Sequence, residues 1–313
     1  VKGGYLRALD TFSATHCVNE HFLEKLKILG GTYVLPLSVN YRGIFYNKKL
    51  LEEEGYQIPS TYAELIDTMQ QIKKAGKLPI IFADKDSWTI HQGWDAIDMS
   101  SRGSQDDFFQ NVLNGDAFLY EDSIALDSTR KFLEIRKYGQ KQTVNTGYDE
   151  AVKKFANGEA YMFFQGNWAY PMIKKINPDI DLLFMPFPAY HENQAKVVVK
   201  IDATLGVSAS CKHLEAVEQF LDYVFSKNVS EYYADKAGAY SCIKSVDVED
   251  SYAKAFTDSI RSGEFFLEEF AYETEKSDAI NALFQNFISS PQRDTEKSFL
   301  KELNDLLIQQ KGD

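Results

Sequence analysis

The run Glu159-Ala-Tyr-Met-Phe-Phe-Gln-Gly-Asn-Trp168 sets an apolar strand, Tyr161 to Phe164, directly before a glycine, an amide and a large flat indole. Gly166 lets the backbone turn sharply and approach a ligand closely. The strand therefore delivers Trp168 to the rim of a sheet, where open α/β sheets keep their ligand crevice. An indole exposed there suits the apolar C–H face of a sugar ring, with amides such as Asn167 and nearby carboxylates bonding the hydroxyls. The alternative is a core residue capping the sheet, since Trp is buried on average. The residues alone leave both readings open.

A second stretch carries the same kind of chemistry. Asp84-Lys-Asp-Ser-Trp88-Thr-Ile-His91-Gln-Gly-Trp94 holds two tryptophans in a polar, irregular segment, 84–104, after a strand. Long loops in that position tend to carry function. His91 and Trp94 fit nothing more specific than loop packing. Asp86 and Asp202 can be nominated as the carboxylate pair of a glycoside hydrolase, which needs them roughly 5–10 Å apart across the scissile bond. No nucleophile elbow, phosphate-cradling loop or HExxH is present, and Gly30-Gly31 is a turn. Cys17, Cys211 and Cys242 lie far apart, with no CxxC and no Cys/His ligand spacing. Neither a zinc site nor a disulfide framework is signalled; three buried free thiols is the preferred reading, one bridge plus a thiol the alternative.

The elements that must position these groups read as α/β. Strands fall at 32–38 and 39–47, with a short helix over 47–55. Thr61 and Glu64 have capping-box spacing at the head of a helix whose apolar stripe is Leu65, Ile66, Met69 and Ile72. Pro79–Ala83 is a buried strand, so strand, helix and strand predict a βαβ unit with a right-handed crossover. Helices are expected around 17–29, 106–114, 122–138, 148–157, 168–176, 212–226 and 228–237, and strands over 181–186 and 196–209. Four more helical segments run out to Gln310. With 313 residues the chain can form one to three domains. Its 44% hydrophobic and 26% charged content is that of a soluble globular protein. A net charge of −12, with no basic stripe, disfavours nucleic acid. No run approaches the length of a membrane span. Val1-Lys-Gly-Gly-Tyr reads like the middle of a protein, with no signal peptide.

Several motifs then line up in one order. Leu35-Pro-Leu-Ser-Val-Asn40-Tyr-Arg-Gly-Ile-Phe-Tyr46-Asn47-Lys48 resembles the "LP…YYNKDLF" segment of the extracellular solute-binding proteins of sugar ABC transporters. Pro59-Ser-Thr61-Tyr-Ala-Glu64-Leu65 resembles their "PxTWxEL" helix start. Phe155-Ala-Asn-Gly158-Glu-Ala160-Tyr-Met162, with Gly166-Asn-Trp168, resembles "F..GKAAM…GxW". The similarity extends across essentially the whole chain, through Leu205–Ser210 and Ala216–Leu221.

The resemblance implies a periplasmic-binding-protein fold of type II, maltose-binding-protein-like: two α/β lobes joined by a three-segment hinge. The crossings are expected near 40–44, 200–204 and 249–252. One lobe is then 1–41 with 204–249, the other 44–200 with 252–313. Family members begin with two further β-α units, so the amino-terminal lobe is expected to be incomplete and to leave unpaired sheet edges. The family's ligand residues carry over one at a time. Asn40 takes the hinge position where relatives often have Asp or Glu, and Tyr41 beside it stacks, bonds, or merely packs the hinge. Trp88 falls at a family aromatic, with Asp86 as a hydroxyl acceptor. Trp168, with Asn167, matches the stacking Trp. Asp202 stands where relatives have a Gly-Gly pair, and bonds the ligand or pairs with Lys200 or Arg42. Tyr240 lies in the segment that usually reads "AGxIP", here without the proline. The implied function is capture of a mono- or oligosaccharide for a membrane permease, with no catalysis, cofactor or metal. The implied place is outside the cytoplasmic membrane, periplasmic or held by a lipid anchor upstream of Val1. A glycoside hydrolase is the alternative.

Overall fold

The computed structural model describes residues 1, 3–102, 108–188, 196–246, 251–268, 274–290 and 295–308. Strands are β1 (Val34–Pro36), β2 (Ser38–Asn47), β3 (Leu78–Ile81), β4 (Ala160–Gly166), β5 (Leu182–Met185), β6 (Val198–Ile201), β7 (Thr204–Gly206), β8 (Tyr240–Ser241) and β9 (Phe266–Leu267). The first helices are α1 (Ser13–Cys17), α2 (Glu20–Leu26), α3 (Lys48–Glu53), α4 (Tyr62–Lys74), α5 (Trp88–Arg102), α6 (Phe108–Asn114) and α7 (Ser123–Arg136). The rest are α8 (Tyr148–Ala156), α9 (Tyr170–Ile176), α10 (Leu214–Val224), α11 (Lys227–Ala237), α12 (Lys254–Ser262), α13 (Thr274–Ser289) and α14 (Glu296–Ile308).

β2 organises the molecule because it changes partners halfway along. Its first half pairs antiparallel with β6, Val39 opposite Ile201, and with β8, Val39 opposite Tyr240. From Arg42 onward it pairs antiparallel with β4, Arg42 opposite Gly166, and with β5, Ile44 opposite Met185. β3 joins β4 in parallel and β9 joins β6 in parallel. β1 and β7 form a separate antiparallel pair, Leu35 opposite Leu205. The chain thus passes twice between the two parts of the molecule, along 34–47 and back along 198–206. The third crossing, expected near 249–252, falls partly on residues 249–250, outside the described residues.

Side chains alternate across the sheet, so its two faces feed two buried layers. Phe45, Ile81, Phe163 and Phe184 face α8, α9 and α12, in a layer that continues into the packing of residues 9–39 and 207–246. Ile44, Tyr46, Ile80, Met162 and Phe164 face α4, α5, α7, α13 and α14. The capping box is present: Thr61 Oγ1 accepts from Glu64 N at 3.3 Å, and Glu64 Oε2 accepts from Thr61 N at 3.2 Å.

Four expectations need correction. The strand, helix and strand over 39–83 are not a parallel βαβ unit: β3 parallels β4, and β4 is antiparallel to β2, so β3 opposes β2. The parallel pair is β3 and β4, joined through α5 to α8. The segment expected to be irregular over 84–104 is helical from Trp88 to Arg102, where Ile90, Trp94 and Ile97 make the buried stripe of α5, and 103–104 lie outside the described residues. The helix expected over 17–29 is broken at Val18, which bridges Ile243, and Asn19 then caps α2 by accepting from His21 N. The described tail holds a 3-10 turn at Ser251–Ala253, three helices and the short strand β9. No described helix is long and apolar enough to cross a membrane.

Candidate functional site

Parallel neighbours β3 and β4 end at the same rim of the sheet. After β3 the chain turns through 82–87 into α5, whose first residue is Trp88. After β4 it turns at once into a 3-10 helix, Asn167–Ala169, carrying Trp168. The two indoles meet with ring centroids 6.1 Å apart and planes tilted by 50°, and Tyr148, at the head of α8, packs on Trp88 at 5.4 Å. All three rings are half-buried. Neither indole belongs to the two buried layers, and neither indole N–H has a partner among the described residues. Gly166 is required by this packing: a Cβ there would lie 2.1 Å from Cζ3 of Trp168.

Asp86 supports the corner from behind. Its Oδ2 accepts from Tyr148 N at 2.6 Å, at the amino terminus of α8, where a carboxylate meets unpaired N–H groups and a favourable dipole. One carboxylate oxygen expected to face a ligand hydroxyl is thus committed to holding Tyr148 beside Trp88. Asp84 is likewise structural: buried, it pairs through both oxygens with Arg136 at 3.1 Å. Arg136 lies over Phe132 and Phe82. Sequence reasoning missed Tyr148, because nothing local marks a tyrosine 60 residues from Trp88 as its neighbour.

The floor beside the indoles is polar. Asn167, fully buried, was expected as a ligand contact; instead its amide is used up inside the protein. Its Oδ1 accepts from Tyr41 N at 2.8 Å, and its Nδ2 donates to Gly238 O at 2.6 Å and to Asn40 Oδ1 at 3.3 Å. The backbone turns away after Gly166, so the Asn167 side chain supplies the acceptor that the next ladder position would have offered to Tyr41. Asn40 is half-buried and borders this floor. Of the readings left open for Tyr41, the packing one fits: its ring is 2% exposed and stacks on Phe256 with centroids at 4.3 Å, facing away from Asn40 in the pleat. Tyr240, 8% exposed, is part of the buried layer next to Val39.

Asp202 is exposed and takes neither expected cation as partner. Its Oδ2 accepts from Ser38 Oγ at 3.3 Å, and its N–H donates to Ser38 O at 3.0 Å. Burial, then the Asp202 charge, raise the phenol of neighbouring Tyr233. Arg42 instead pairs with buried Glu268 and, at 3.6 Å, with Asp95. Lys200 lies 3.9 Å from Glu268. His91, behind Arg42, bonds Asn281 Oδ1 through Nδ1 at 2.7 Å. Burial first, then Arg42, push its imidazole down to about 3, so it is neutral near pH 7. His91 and Trp94 are packing residues, as expected, although of a helix.

A cavity of about 1050 Å³ lies elsewhere, bounded by Lys73, Arg130, Lys137, Lys141 and Glu296, with no aromatic ring among its described lining residues. Among the described residues no cluster of His, Cys, Asp and Glu could hold a metal ion. The three cysteines are free, but only Cys242 is buried; Cys17 is exposed and Cys211 is half-buried.

Comparison with known proteins bears on what such a corner serves. Residues 1–230 match the model of the family described as bacterial extracellular solute-binding protein. The multiple sugar-binding protein of Streptococcus mutans is 28% identical over 253 residues, 78% of this chain and 59% of the relative. The melibiose/raffinose/stachyose-binding protein MelE of Bacillus subtilis is 20% identical over 233 residues, 72% of this chain and 54% of the relative. The chain thus spans a little over half the length of the curated relatives it matches. Among solved structures, RafE in complex with raffinose superposes with a TM-score of 0.82 at 23% identity, over 99% of this chain and 81% of that one. A Bacillus licheniformis sugar transporter in complex with stachyose gives 0.77 at 20%, over 97% and 82%. Those likenesses give the α/β fold of type II sugar-binding proteins. The family match covers residues 1–230 of the 313, well over half the chain. The chain therefore belongs to the bacterial extracellular solute-binding proteins.

Proposed function

We propose that this chain is the substrate-binding component of an ABC importer and captures a mono- or oligosaccharide at the Trp88–Trp168 corner. The observation that carries the reading is the state of those two rings. They stand at the carboxyl ends of adjacent parallel strands, outside both buried layers, with indole N–H groups that have no partner among the described residues. Two tilted aromatic faces accept the C–H faces of pyranose rings, and the free N–H groups and Asn40 supply hydrogen bonds to oxygens. Raffinose in RafE, stachyose in the B. licheniformis protein and the sugars in the name of MelE support this ligand class.

Segments 1–41 with 204–249 and 44–200 with 252–313 act as the two lobes, and the sugar selects their closed arrangement. The closed form is delivered to the permease subunits, outside the cytoplasmic membrane. The role is capture without catalysis, a reading supported by one oxygen of Asp86 being committed to Tyr148 N–H and one of Asp202 to Ser38. No cofactor or metal takes part. Calorimetry with raffinose, stachyose, melibiose, amino acids and short peptides tests the proposal. Saturable heat with one or more of the sugars alone is expected. Binding confined to amino acids or peptides, or release of free galactose from bound raffinose, overturns it.

A further inference from the structure

We infer that Asn167 is a positioning residue that fixes the hydrogen-bonding polarity of the cleft floor, so that Asn40 presents its amide N–H₂ to the ligand; this rests on the sugar-binding reading above. Two backbone groups at this floor have a polarity that cannot change. Tyr41 N–H can only donate, and Gly238 C=O can only accept. Asn167 lies between them, fully buried, with Oδ1 2.8 Å from Tyr41 N and Nδ2 2.6 Å from Gly238 O. An amide flip would set acceptor against acceptor and donor against donor, so its orientation is determined. The second hydrogen of Nδ2 then meets Asn40 at 3.3 Å, which must offer Oδ1. Asn40 is left with its Nδ2 free of partners among the described residues, in a half-buried side chain. The floor is therefore a donor, suited to a ring, glycosidic or hydroxyl oxygen acting as acceptor.

The far end of the relay is equally constrained. Gly238 closes α11 in the left-handed region, at φ +63°. A Cβ there would stand 2.6 Å from Cδ of Pro171 and 3.1 Å from the Asn167 carbonyl oxygen. Glycine is thus what allows the end of α11 to approach the turn that carries Trp168. Three chain segments meet at one amide: β2, the Trp168 turn and the end of α11.

Asn167→Asp is the direct test. An aspartate cannot donate to Gly238 O or Asn40 Oδ1. Asn40 then turns its N–H₂ toward the new carboxylate and its Oδ1 toward the cleft. The side-chain amide signals of Asn40 in a ¹⁵N–¹H spectrum, identified by their loss in Asn40→Asp, should move in sugar-free Asn167→Asp protein. Raffinose should shift them in the wild type and no longer do so in the variant, with affinity down at least ~10-fold. Asn40→Ala with Asn167→Asp should lose little more affinity than Asn40→Ala alone, because Asn167 acts on the ligand through Asn40. Asn304→Ala removes a buried amide that accepts from Leu119 N at 2.9 Å, far from the corner, and should lower stability with unchanged affinity. If Asn167→Asp does not fold, Gly238→Ala strains the same relay from its other end, and the same Asn40 signals should move. Unmoved Asn40 signals in sugar-free protein, or additive losses in the double variant, overturn the relay. Signals that move while the wild type takes up no sugar sustain the relay and overturn the functional reading instead.

Discussion

Trp88 and Trp94 lie six residues apart on α5 and end in opposite circumstances. Trp94 is fully buried, packs at 6.0 Å on Phe284 and donates its indole N–H to Thr129 Oγ1 at 2.9 Å. Trp88 is half-buried, touches Trp168 and Tyr148, and keeps its N–H free among the described residues. The helix explains the split: Ile90, Trp94 and Ile97 share its buried face, Trp94 against Thr129 of α7 and Phe284 of α13, whereas Trp88 opens the first turn at the rim. A buried indole with its polar handle satisfied is packing. A half-buried pair with both handles free among the described residues is a part of the molecule still open to a partner.

Substitution should break this contrast at its strongest point first. Trp94→Ala removes a fully buried ring and leaves Thr129 without its donor, so a loss of ~3–5 kcal/mol is expected in urea denaturation. Sugar affinity of the folded fraction should be unchanged. An affinity loss matching that of Trp168→Ala would erase the distinction between the two corners. Next comes acid. His91 in the folded protein is pushed down to about 3, below the ordinary 6.5, so below pH 6.5 the unfolded chain takes up a proton that the folded chain refuses. Its contribution to stability is whole above about pH 6.5 and is lost as pH falls toward 3, at up to ~1.4 kcal/mol per pH unit. His91→Gln should flatten the stability profile in that window. An unchanged slope would mean that His91 titrates normally when folded.

At the open corner the effect should appear in affinity. Trp168→Ala loses a stacking face worth ~1 kcal/mol or more, so raffinose should bind at least ~10-fold more weakly, with a far smaller stability change than Trp94→Ala. Gly166→Ala sharpens the point. Gly166 has φ −91°, which alanine adopts freely, so the only obstacle is the Trp168 ring that its Cβ would strike. Affinity should fall with little change in stability. Equal affinity in Gly166→Ala and wild type would show that the ring position does not matter.

The contrast also marks what the sequence could carry. Trp168 at a strand end, the Thr61 capping box and the long strand 38–47 rest on local spacing, and each is where the residues put it. Asn167 and Asp86 read as ligand contacts because an amide beside an indole and a carboxylate near another look free in one dimension. Their partners, Tyr41, Gly238 and Tyr148, are 126, 71 and 62 residues away. α5 read as part of a polar, irregular segment, whereas two of its charged residues, Asp95 and Asp98, are buried against Arg42 and Arg102. The direction of β3 relative to β2 is a property of the whole sheet, and no residue in 39–83 encodes it.

The smallest effect is expected at the opposite extreme from Trp94. On α10 and α11, Phe220, Tyr223 and Tyr232 are 56%, 66% and 67% exposed, and on α10 only Leu221 is buried. α8, shorter by two residues, buries Ala151, Val152, Phe155 and Ala156 because a sheet face lies beneath it. Both helices have the apolar residues of an amphipathic pattern; what differs is the surface each meets. So exposed a ring contributes little to folding, and Phe220→Ser should stay within ~0.5 kcal/mol of wild type in the same urea experiment. A cost approaching that of Trp94→Ala would mean that the α10 face is covered in solution. Light scattering across a concentration series would then separate self-association, in which apparent mass and stability fall together in Phe220→Ser, from packing within one chain, in which the mass stays that of a single copy.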